Sequence, residues 1–428
     1  MSKPQKARTN DIQRLSLLLC AAVSLSCAAT AQPASAANWY VTNSGTGARD
    51  GKSWQSAWTS FAQINWSLIQ SGDVIKIDAG SAPPPGTSRT MFYNGGLNVG
   101  CDNVTLEVSD EPGHNGASIA IQSVPTGINI GNRSNVTVRG GSKWKGYSTN
   151  TRPTFEVGSC QTGVYIGPAA KNITLENLDI GWCQDGLKIE GGQAMCAFLR
   201  LSENTTAVNY KAVSTSSNLQ WCYLRNSWIR NSSATRQCVG VKTSGIPTNT
   251  GAVDLNLCIL GPGLTTAVQS DSPMVDVNLA SSLIINPSVA SVAVTDAQHV
   301  NVNWCTSFMT PTNSKGLPHS GLSIKDTPNQ YNTYVGASTF YGGVVNVPPA
   351  KKLLGTNYQY KTSGNVLALS TNQIDPLFVS NVGIIPGWYD FYKLCELDFA
   401  FQPGSPAAAT RSAAFPTSVT KFLNDRSL

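Results

Sequence analysis

The chain has 428 residues, of which 41% are hydrophobic and 13% are charged, with 38 Gly, 23 Pro and a formal net charge of +6. This composition supplies enough apolar material for a core and excludes a disordered acidic tail, a coiled coil and a collagen-like fibre. The first 36 residues carry four basic side chains against one acidic side chain and account for half of the net charge. The remaining excess is too small and too scattered to predict nucleic-acid binding.

Residues 1–36 have the features of a secretory signal peptide. A basic, polar start precedes a short apolar run from Leu15 to Ala29, and Ala34 and Ala36 place small residues before a cleavage point. The apolar run is shorter than the roughly 20 residues of a membrane-spanning helix, and no later stretch is long enough. We therefore expect a secreted protein, extracellular or periplasmic, without a membrane span.

Residues 37–95 are predicted to form an N-terminal cap and the first coil of a repeat structure. The segment from Trp39 to Val41 begins a strand, and Ser60 to Gln70 has an amphipathic helical pattern with Ser60 as its N-cap. A helix across the open end of the first coil would cover exposed backbone and core, which terminal repeats require.

A repeat of short β-type segments runs through residues 96–345. Apolar residues alternate along each segment with a period of two, and Asn or Gly stands at many segment ends. One set superposes position by position at offsets of 22 and 25 residues: Val253–Cys258, Val275–Ala280 and Val300–Cys305. Two other sets are Asn103–Leu106, Asn135–Val138 and Asn172–Leu175, and Gly127–Ile130, Gly163–Ile166, Gly186–Ile189 and Gly321–Ile324.

The repeat predicts an all-β fold in which the coils of a parallel β-helix stack on one another. Each unit of about 22 to 37 residues contains three short strands and has almost no helical periodicity. The alternative is an antiparallel β-sandwich, but sandwiches do not repeat their sequence at a constant offset. Residues 346–428 are predicted to form a C-terminal capping segment.

Segments near both ends of the chain are similar to a known family. They are Asp50–Trp54 and Ser71–Ile77 near the N-terminus, and Asp375–Val379 and Phe401–Pro406 near the C-terminus. With the repeats, these segments resemble secreted proteins of the pectate-lyase-like superfamily. The resemblance implies a right-handed parallel β-helix with a short N-terminal capping helix and a polysaccharide partner. It does not identify a reaction, because the superfamily includes lyases, hydrolases, epimerases and adhesins.

The residues between the buried positions of a β-helix form outer columns, with one residue per coil about 4.8 Å apart. With Val253, Leu255 and Leu257 directed inward, the alignment predicts two polar columns as the substrate-binding surface. They are Asn218, Asp254, Asp276 and Asn301 in one column, and Gln220, Asn256, Asn278 and Asn303 in the other.

Asp254 and Asp276 lie on adjacent coils of the same column in this alignment. Two such carboxylates repel each other, which raises the pKa of one of them unless a cation or a proton lies between them. The pair is a candidate Ca²⁺ site through its oxygen atoms, or a candidate acid and base acting on a sugar. The structural alternative is a polar ladder in solvent, because amide side chains stack well on parallel strands.

Three basic residues are candidates for contact with an acidic sugar. β-Elimination requires a base for the proton α to a uronate carboxyl group, and a positive group that neutralises the carboxylate. Lys242 and Arg225 are the candidate catalytic cations, and Lys188 is a candidate substrate contact. For each of them, the alternative is an ordinary solvated surface cation.

The resemblance is incomplete at the calcium-binding strand of pectate lyases. That strand resembles Val-Trp-Ile-Asp-His-Cys, and its Asp binds Ca²⁺. In this chain, Asn256 and Asn303 replace that Asp, and Leu257 and Trp304 replace the His. The sequence therefore leaves both Ca²⁺ as a cofactor and pectate as a substrate open.

Nine of the 11 cysteines follow the predicted signal peptide. An odd number leaves at least one thiol unpaired within the chain. A disulfide between Cys222 and Cys258 on neighbouring coils is one possible pairing, provided that its geometry is suitable. The sequence does not determine the disulfide pattern or the oligomeric state.

Two functions fit these observations. The first is a secreted carbohydrate-active protein that binds an extended, acidic polysaccharide along the coil axis and cleaves it by β-elimination. The second is a non-catalytic surface or matrix protein that uses the same rod for adhesion or structure. The acidic array and the resemblance favour the first function, whereas the lack of a complete catalytic signature favours the second.

Overall fold

The computed structural model describes most of the chain between residues 36 and 347. The described ranges are 36–81, 90–116, 118–141, 155–213, 220–232, 236–245, 250–285, 287–308, 320–325, 332–336, 338–347, 352–354, 358–360, 363–364 and residue 405. The described strands belong to one compact unit that begins at Asn38. Most of the predicted signal peptide and of the predicted C-terminal capping segment lies outside these ranges, so both remain predictions.

The described strands form three sheets, here named A, B and C and numbered in chain order. Sheet A has 12 strands: β1 (Asn38–Val41), β2 (Val74–Ile77), β5 (Val104–Val108), β8 (Val136–Arg139), β11 (Ile173–Glu176), β14 (Gln193–Ala197), β17 (Gln220–Arg225), β20 (Gly251–Asn256), β23 (Val275–Ala280), β26 (His299–Asn303), β29 (Asn332–Gly336) and β32 (Lys352–Leu354).

Sheets B and C have 11 described strands each. Those of sheet B are β3 (Thr90–Tyr93), β6 (Ser118–Gln122), β9 (Phe155–Gly158), β12 (Leu178–Gly181), β15 (Arg200–Ser202), β18 (Trp228–Arg230), β21 (Ile259–Leu260), β24 (Leu283–Ile285), β27 (Thr306–Phe308), β30 (Thr339–Tyr341) and β33 (Tyr358–Tyr360). Those of sheet C are β4 (Leu97–Asn98), β7 (Thr126–Gly131), β10 (Thr162–Ile166), β13 (Asp185–Glu190), β16 (Thr206–Lys211), β19 (Val239–Ser244), β22 (Thr266–Asp271), β25 (Ala290–Asp296), β28 (Ser320–Ile324), β31 (Val344–Asn346) and β34 (Ser363–Gly364).

The chain visits the three sheets in turn, so neighbours within a sheet are usually three strands apart in sequence. Strands on successive coils pair in parallel, as β17 does with β20 and β10 does with β13. This arrangement confirms the predicted right-handed parallel β-helix. Strands β32, β33 and β34 extend all three sheets beyond residue 345.

The alternating sequence pattern explains why these segments are strands. In β5, Val104, Leu106 and Val108 are buried, whereas Thr105 and Glu107 between them are partly exposed. Successive side chains of a strand point to opposite faces, so the apolar residues fill the coil and the polar residues lie outside.

Asparagines make one set of corners between the strands. Asn103, Asn135 and Asn172 have φ angles of 53° to 55°, a left-handed conformation that Asn tolerates better than most residues. Their side chains form a ladder, because Asn135 donates to Asn103 at 2.7 Å and Asn172 donates to Asn135 at 2.9 Å. The Asn of the repeat therefore turns the chain into sheet A.

The outer side of sheet B differs from the outer sides of the other two sheets. Ile259, Leu283 and Ile285 have no exposed surface, yet they lie outside the main core cluster within the coils. Sheets A and C present partly exposed polar residues at the corresponding positions, as β20 and β13 do. A soluble ligand therefore has better access to sheets A and C than to this part of sheet B.

The predicted helix from Ser60 to Gln70 is wrong. The structure has only a 3₁₀ turn, η1 (Phe61–Gln63), and Ser60 makes no capping hydrogen bond through its side chain. Two side chains form local bonds instead: Gln63 accepts from the Thr59 backbone at 2.9 Å, and Asn65 accepts from the Ser67 backbone at 3.2 Å. Such bonds compete with helix formation. No helix among the described residues is long and apolar enough to cross a membrane.

In the repeat set Val253–Cys258, Val275–Ala280 and Val300–Cys305, the predicted alignment of the middle segment is wrong by two residues, whereas Val253 and Val300 align as predicted. Val253 pairs with Val277, not with Val275, and Val277 pairs with Val300. A shift of two residues keeps the apolar side chains inside, so the alternation could not exclude it. The shift moves Asp276 out of the column that contains Asp254.

Asn204 offers a test of the contacts between coils. It is fully buried, its Oδ1 accepts from the Cys183 backbone at 2.9 Å, and its Nδ2 donates to the Ile180 carbonyl at 2.8 Å. Asn204→Ala removes both bonds and should lower the free energy of unfolding by about 2–3 kcal/mol. Denaturant unfolding measures this loss. The exposed Asn94 gives the control Asn94→Ala, and equal unfolding midpoints for the two variants would contradict the prediction.

Candidate functional site

The sequence-predicted site residues lie on two different sheets. Lys188 and Lys242 face outward on sheet C. Gln220 is only 1% exposed, and its amide bonds to the Val213 backbone, so its predicted outward direction is wrong. Asn218 lies outside the described residues. The remaining predicted residues are on the outer side of sheet A: Arg225, Asp254, Asn256, Asp276, Asn278, Asn301 and Asn303.

On sheet A, the polar residues bond to one another. Asn278 lies opposite Asp254 and donates to its Oδ1, and Asn301 donates to Asn278 on the next coil. Asp276 lies opposite Ala252 and contacts Nδ1 of His299 at 2.7 Å. Burial raises the pKa of Asp254, the bond from Asn278 lowers it, and the charge of Asp276 raises it, with a net increase.

This arrangement does not fit the predicted Ca²⁺ site. Ca²⁺ prefers six to eight oxygen ligands, whereas Asp254 and Asp276 lie in different columns and their Oδ1 atoms already contact Asn278 and His299. No group of three or more His, Cys, Asp or Glu residues in the described part of the chain could hold a metal ion. The sequence analysis also missed His299 as the partner of Asp276.

Sheet C carries a second group of polar residues, which we name the β13 cluster. One column runs across four successive strands and contains Tyr165, Lys188, Asn209 and Lys242. Glu190 and Lys211 lie opposite each other at the C-terminal ends of β13 and β16. The full cluster is Tyr165, Asp185, Lys188, Glu190, Asn209, Lys211 and Lys242.

The two carboxylates of the β13 cluster have different partners. Asn209 donates to Asp185 Oδ1 at 3.0 Å. Tyr165 donates to Glu190 Oε2 at 2.9 Å, and Lys188 Nζ lies 3.3 Å from Glu190 Oε1. Lys188 also lies above the Tyr165 ring, 5.8 Å from its centre. The Tyr165 hydroxyl and the Lys188 ammonium group thus each contact a different oxygen of the Glu190 carboxylate.

The pKa values of these carboxylates move in opposite directions. Burial raises the pKa of Asp185, against the opposing effects of Asn209, Lys188 and Lys242. Burial also acts to raise the pKa of Glu190, but the bond from Tyr165 and the charge of Lys188 outweigh it and lower the pKa. Two carboxyl groups in different environments can divide the roles of general acid and general base. Burial favours the protonated form of Asp185, which suits the acid role, whereas Tyr165 and Lys188 favour the ionised form of Glu190, which suits the base role.

An exposed aromatic residue borders the β13 cluster. Trp182 is 56% exposed, precedes β13 and has a φ of 60°, a left-handed conformation that is unusual for a bulky residue. The Arg236 guanidinium lies 5.8 Å from the centre of its ring and donates to the Cys183 carbonyl at 3.3 Å. A flat apolar ring beside charged groups is suited to stacking against a sugar.

Sequence reasoning missed Trp182, Asp185, Glu190 and Tyr165 as site residues. Asp185 and Glu190 flank the phrase Gly186–Ile189, but their importance depends on Tyr165 and Asn209 from the adjacent coils. The signal available in the sequence was an acidic residue at each end of the Gly-containing strand β13. Arg225 and Lys242, which the sequence analysis grouped together, lie on sheets A and C.

Comparisons with known proteins identify no family. No family model and no curated protein matches the chain. Among solved structures, a rhamnogalacturonan lyase is similar at 12% identity and a TM-score of 0.44, with 80% of this chain and 91% of that chain covered. A pectin methylesterase in complex with a hexasaccharide has 12% identity and a TM-score of 0.25, with coverages of 79% and 94%. Neither similarity is high enough to assign a function.

Asp185 gives a prediction for the dependence of stability on pH. Its folded-state pKa lies above the ordinary value of 3.8, so the folded protein binds this proton more tightly than the unfolded chain does. The contribution of Asp185 to stability therefore falls as the pH rises through its folded-state pKa. Asp185→Asn removes this loss, and the variant should be at least as stable as the parent at neutral pH.

Denaturant unfolding from acidic to neutral pH measures this effect. The advantage of Asp185→Asn should shrink as the pH falls towards the ordinary pKa of an aspartate. Asp271 is exposed on the same sheet, and Asp271→Asn serves as the matched control. A loss of stability in Asp185→Asn of equal size at every pH would contradict the prediction.

Proposed function

We propose that this protein is a secreted carbohydrate-active enzyme that binds an extended, acidic polysaccharide across sheet C and cleaves it. The observation that carries the proposal is the β13 cluster. It combines three lysines with two carboxyl groups whose pKa values are shifted in opposite directions. Excess positive charge attracts an anionic polymer, and the different environments of the two carboxyl groups allow one to act as an acid and the other as a base.

The lysines account for recognition of the polymer. Lys188 and Lys242 lie two strands apart in one column, which places their backbones about 10 Å from each other along the coil axis. They can contact the carboxylates of a chain that follows this axis, and Asn209 between them can bond to its hydroxyl groups. Trp182 provides the apolar contact at the edge of the cluster.

The reaction that best fits an acidic sugar is β-elimination. Glu190 accepts the proton α to a uronate carboxyl group, a C=C bond forms, and the bond to the leaving glycosidic oxygen breaks. Asp185 donates a proton to that oxygen, and the lysines stabilise the negative charge that develops on the carboxylate. Hydrolysis by the same pair would need a water molecule instead and would leave no double bond in the product.

The second candidate function is a non-catalytic rod for adhesion or structure. Sheet A favours it, because the polar residues Asp254, Asn278 and Asn301 bond to one another and so stabilise the stacking of the coils. This interpretation concerns sheet A and does not explain the opposite pKa shifts of Asp185 and Glu190 on sheet C.

The test is incubation with polygalacturonate, alginate and glycosaminoglycans, with binding measured by calorimetry and cleavage by ultraviolet absorbance and reducing ends. We expect one acidic polymer to be bound and to yield an unsaturated product. The double variant Lys188→Ala/Lys242→Ala should lower the affinity about tenfold, or about 1.4 kcal/mol. Lys325→Ala, at an exposed position after β28, is the matched control.

Variants of the carboxyl groups locate the reaction on one sheet. Asp185→Asn and Glu190→Gln should each lower the rate about 100-fold or more, whereas Asp254→Ala and Asp276→Ala on sheet A should leave it unchanged. Loss of activity only in the sheet A variants would show that the site is the array around Asp254 and Asp276 that the sequence predicted. Absence of binding and cleavage with every polymer would favour the adhesive or structural function.

A further inference from the structure

A cleft lies at the N-terminal end of sheet C, outside the β13 cluster. Its volume is about 430 Å³. Strand β7 and the turn after it form most of its wall. The lining residues are Val99, Asn129, Ile130, Gly131, Asn132 and Arg133.

The cleft is aligned with the β13 cluster. Asn129 pairs with Tyr165, and Tyr165 pairs with Lys188, so all three residues belong to one outer column. Two coil spacings separate the backbones of Asn129 and Lys188, which corresponds to about 10 Å. A polymer that follows the coil axis from Lys188 towards the N-terminal end therefore reaches the cleft.

Two side chains of the cleft are suited to an acidic sugar. Arg133 is exposed, its Nε donates to the Val99 carbonyl at 3.4 Å, and no described carboxylate forms an ion pair with it. Asn129 donates through Nδ2 to Asn98 at 3.1 Å, whereas its Oδ1 is buried without a hydrogen-bond partner. A guanidinium group binds a carboxylate with two hydrogen bonds.

We propose that this cleft is a separate subsite, which binds a uronate residue of the polysaccharide at a distance from the bond that is cleaved. Arg133 contacts the carboxylate of that residue, and Asn129 lines the cleft beside it. This inference rests on the proposed function, because it assumes that the polymer lies along sheet C. It adds that long chains bind more tightly than chains that contact only the β13 cluster.

The test compares chain lengths. Binding of the digalacturonate and the octagalacturonate, or of the corresponding oligomers of whichever acidic polymer is bound, is measured by calorimetry. Arg133→Ala should weaken binding of the octasaccharide about fivefold or more and leave the affinity for the disaccharide unchanged. Asn129→Ala should act in the same direction with a smaller effect. Arg49→Ala, at another exposed arginine, is the matched control.

The possible failures are distinguishable. If Arg133→Ala binds both oligomers like the parent while Lys188→Ala/Lys242→Ala weakens both, the cleft is not a subsite and the proposed function stands. If Arg133→Ala weakens both oligomers equally, the cleft is not separate from the β13 cluster. If the parent binds neither oligomer of any acidic polymer, both the subsite and the proposed function are wrong.

A pair of cysteines carries a second, independent inference. Cys160 and Cys183 each follow a left-handed residue, Ser159 and Trp182, at the same corner of successive coils. The backbones are joined there, since Gln184 donates to the Cys160 carbonyl at 3.2 Å. The register places the two cysteines at equivalent positions, because Gly158 pairs with Gly181 two residues before them. One coil spacing of about 4.8 Å between the Cα atoms falls within the range for disulfides.

Other thiol pairs in the core are less suited to a disulfide. Cys196 and Cys222 lie on adjacent strands, but Cys222 lies opposite Ala194, two residues from Cys196. Such a diagonal pair of Cα atoms is about 8 Å apart, which exceeds the limit for a disulfide without backbone movement. Cys222 lies opposite Val253 on the next coil, and Cys258 contacts the Leu224 carbonyl instead.

We propose that Cys160 and Cys183 form a disulfide in an oxidising compartment. The two thiols lose two protons and two electrons as the S–S bond forms, and a low-molecular-weight disulfide accepts the electrons and protons and becomes two thiols. All eight described cysteines are reduced in this structure. The new bond would join the coil that contains Cys160 to the coil that contains Trp182 and Cys183. It would thereby fix the backbone at the edge of the β13 cluster.

The test is refolding of the full chain with oxidised glutathione or with dithiothreitol, followed by alkylation in denaturant and peptide mass analysis. We expect a cross-linked peptide that contains Cys160 and Cys183, and a higher unfolding midpoint in the oxidised sample. Cys183→Ser should abolish both effects, whereas the matched variant Cys196→Ser should retain both. Alkylation of Cys160 and Cys183 after oxidation, or a bond from Cys183 to another cysteine, would overturn the proposal.

Discussion

Backbone hydrogen bonding between successive coils determines the position of every side chain on this protein. In a parallel ladder, residues that pair on adjacent strands lie about 4.8 Å apart, whatever their separation in sequence. Tyr165, Lys188, Asn209 and Lys242 become neighbours only through this ladder. A change of register by two residues therefore leaves the apolar core intact but changes which polar groups meet on the surface.

The sequence predicted the fold because its signals are local, whereas the register depends on residues far apart in sequence. Alternating residues and Asn corners are each visible within six residues or fewer. The strand pattern repeats every two residues, so Val275 and Val277 fit equally well beside Val253. The structure resolves the choice, since Leu257, Ser281 and Trp304 have positive φ values and occupy equivalent positions on successive coils. None of these residue types marks a left-handed corner in a sequence, so the sequence left the register open.

The N-terminal segment and the candidate site were predicted only in part. Of the four residues on the apolar face of the predicted helix, Phe61, Ile64 and Ile69 are buried, whereas Leu68 is 43% exposed. Local side-chain bonds give this segment turns instead of a helix. Lys188 and Lys242 were predicted as candidate sugar contacts and lie in one column. Asp185 and Glu190 were missed because the contacts that shift their pKa values come largely from Tyr165, Asn209 and Lys242 on other coils.

The contrast between sheets A and C favours sheet C as the site of function. On sheet A, Lys76 and Arg139 form ion pairs with Glu111 and Glu107, so these charges are neutralised within the protein. In the β13 cluster, Lys188 is paired with Glu190, whereas Lys211 and Lys242 form no ion pair with a described carboxylate. The cluster therefore has a local excess of positive charge on rigid strands. Fixed charges of this kind stabilise an anionic ligand without first reorganising, which is the physical requirement for both binding and catalysis.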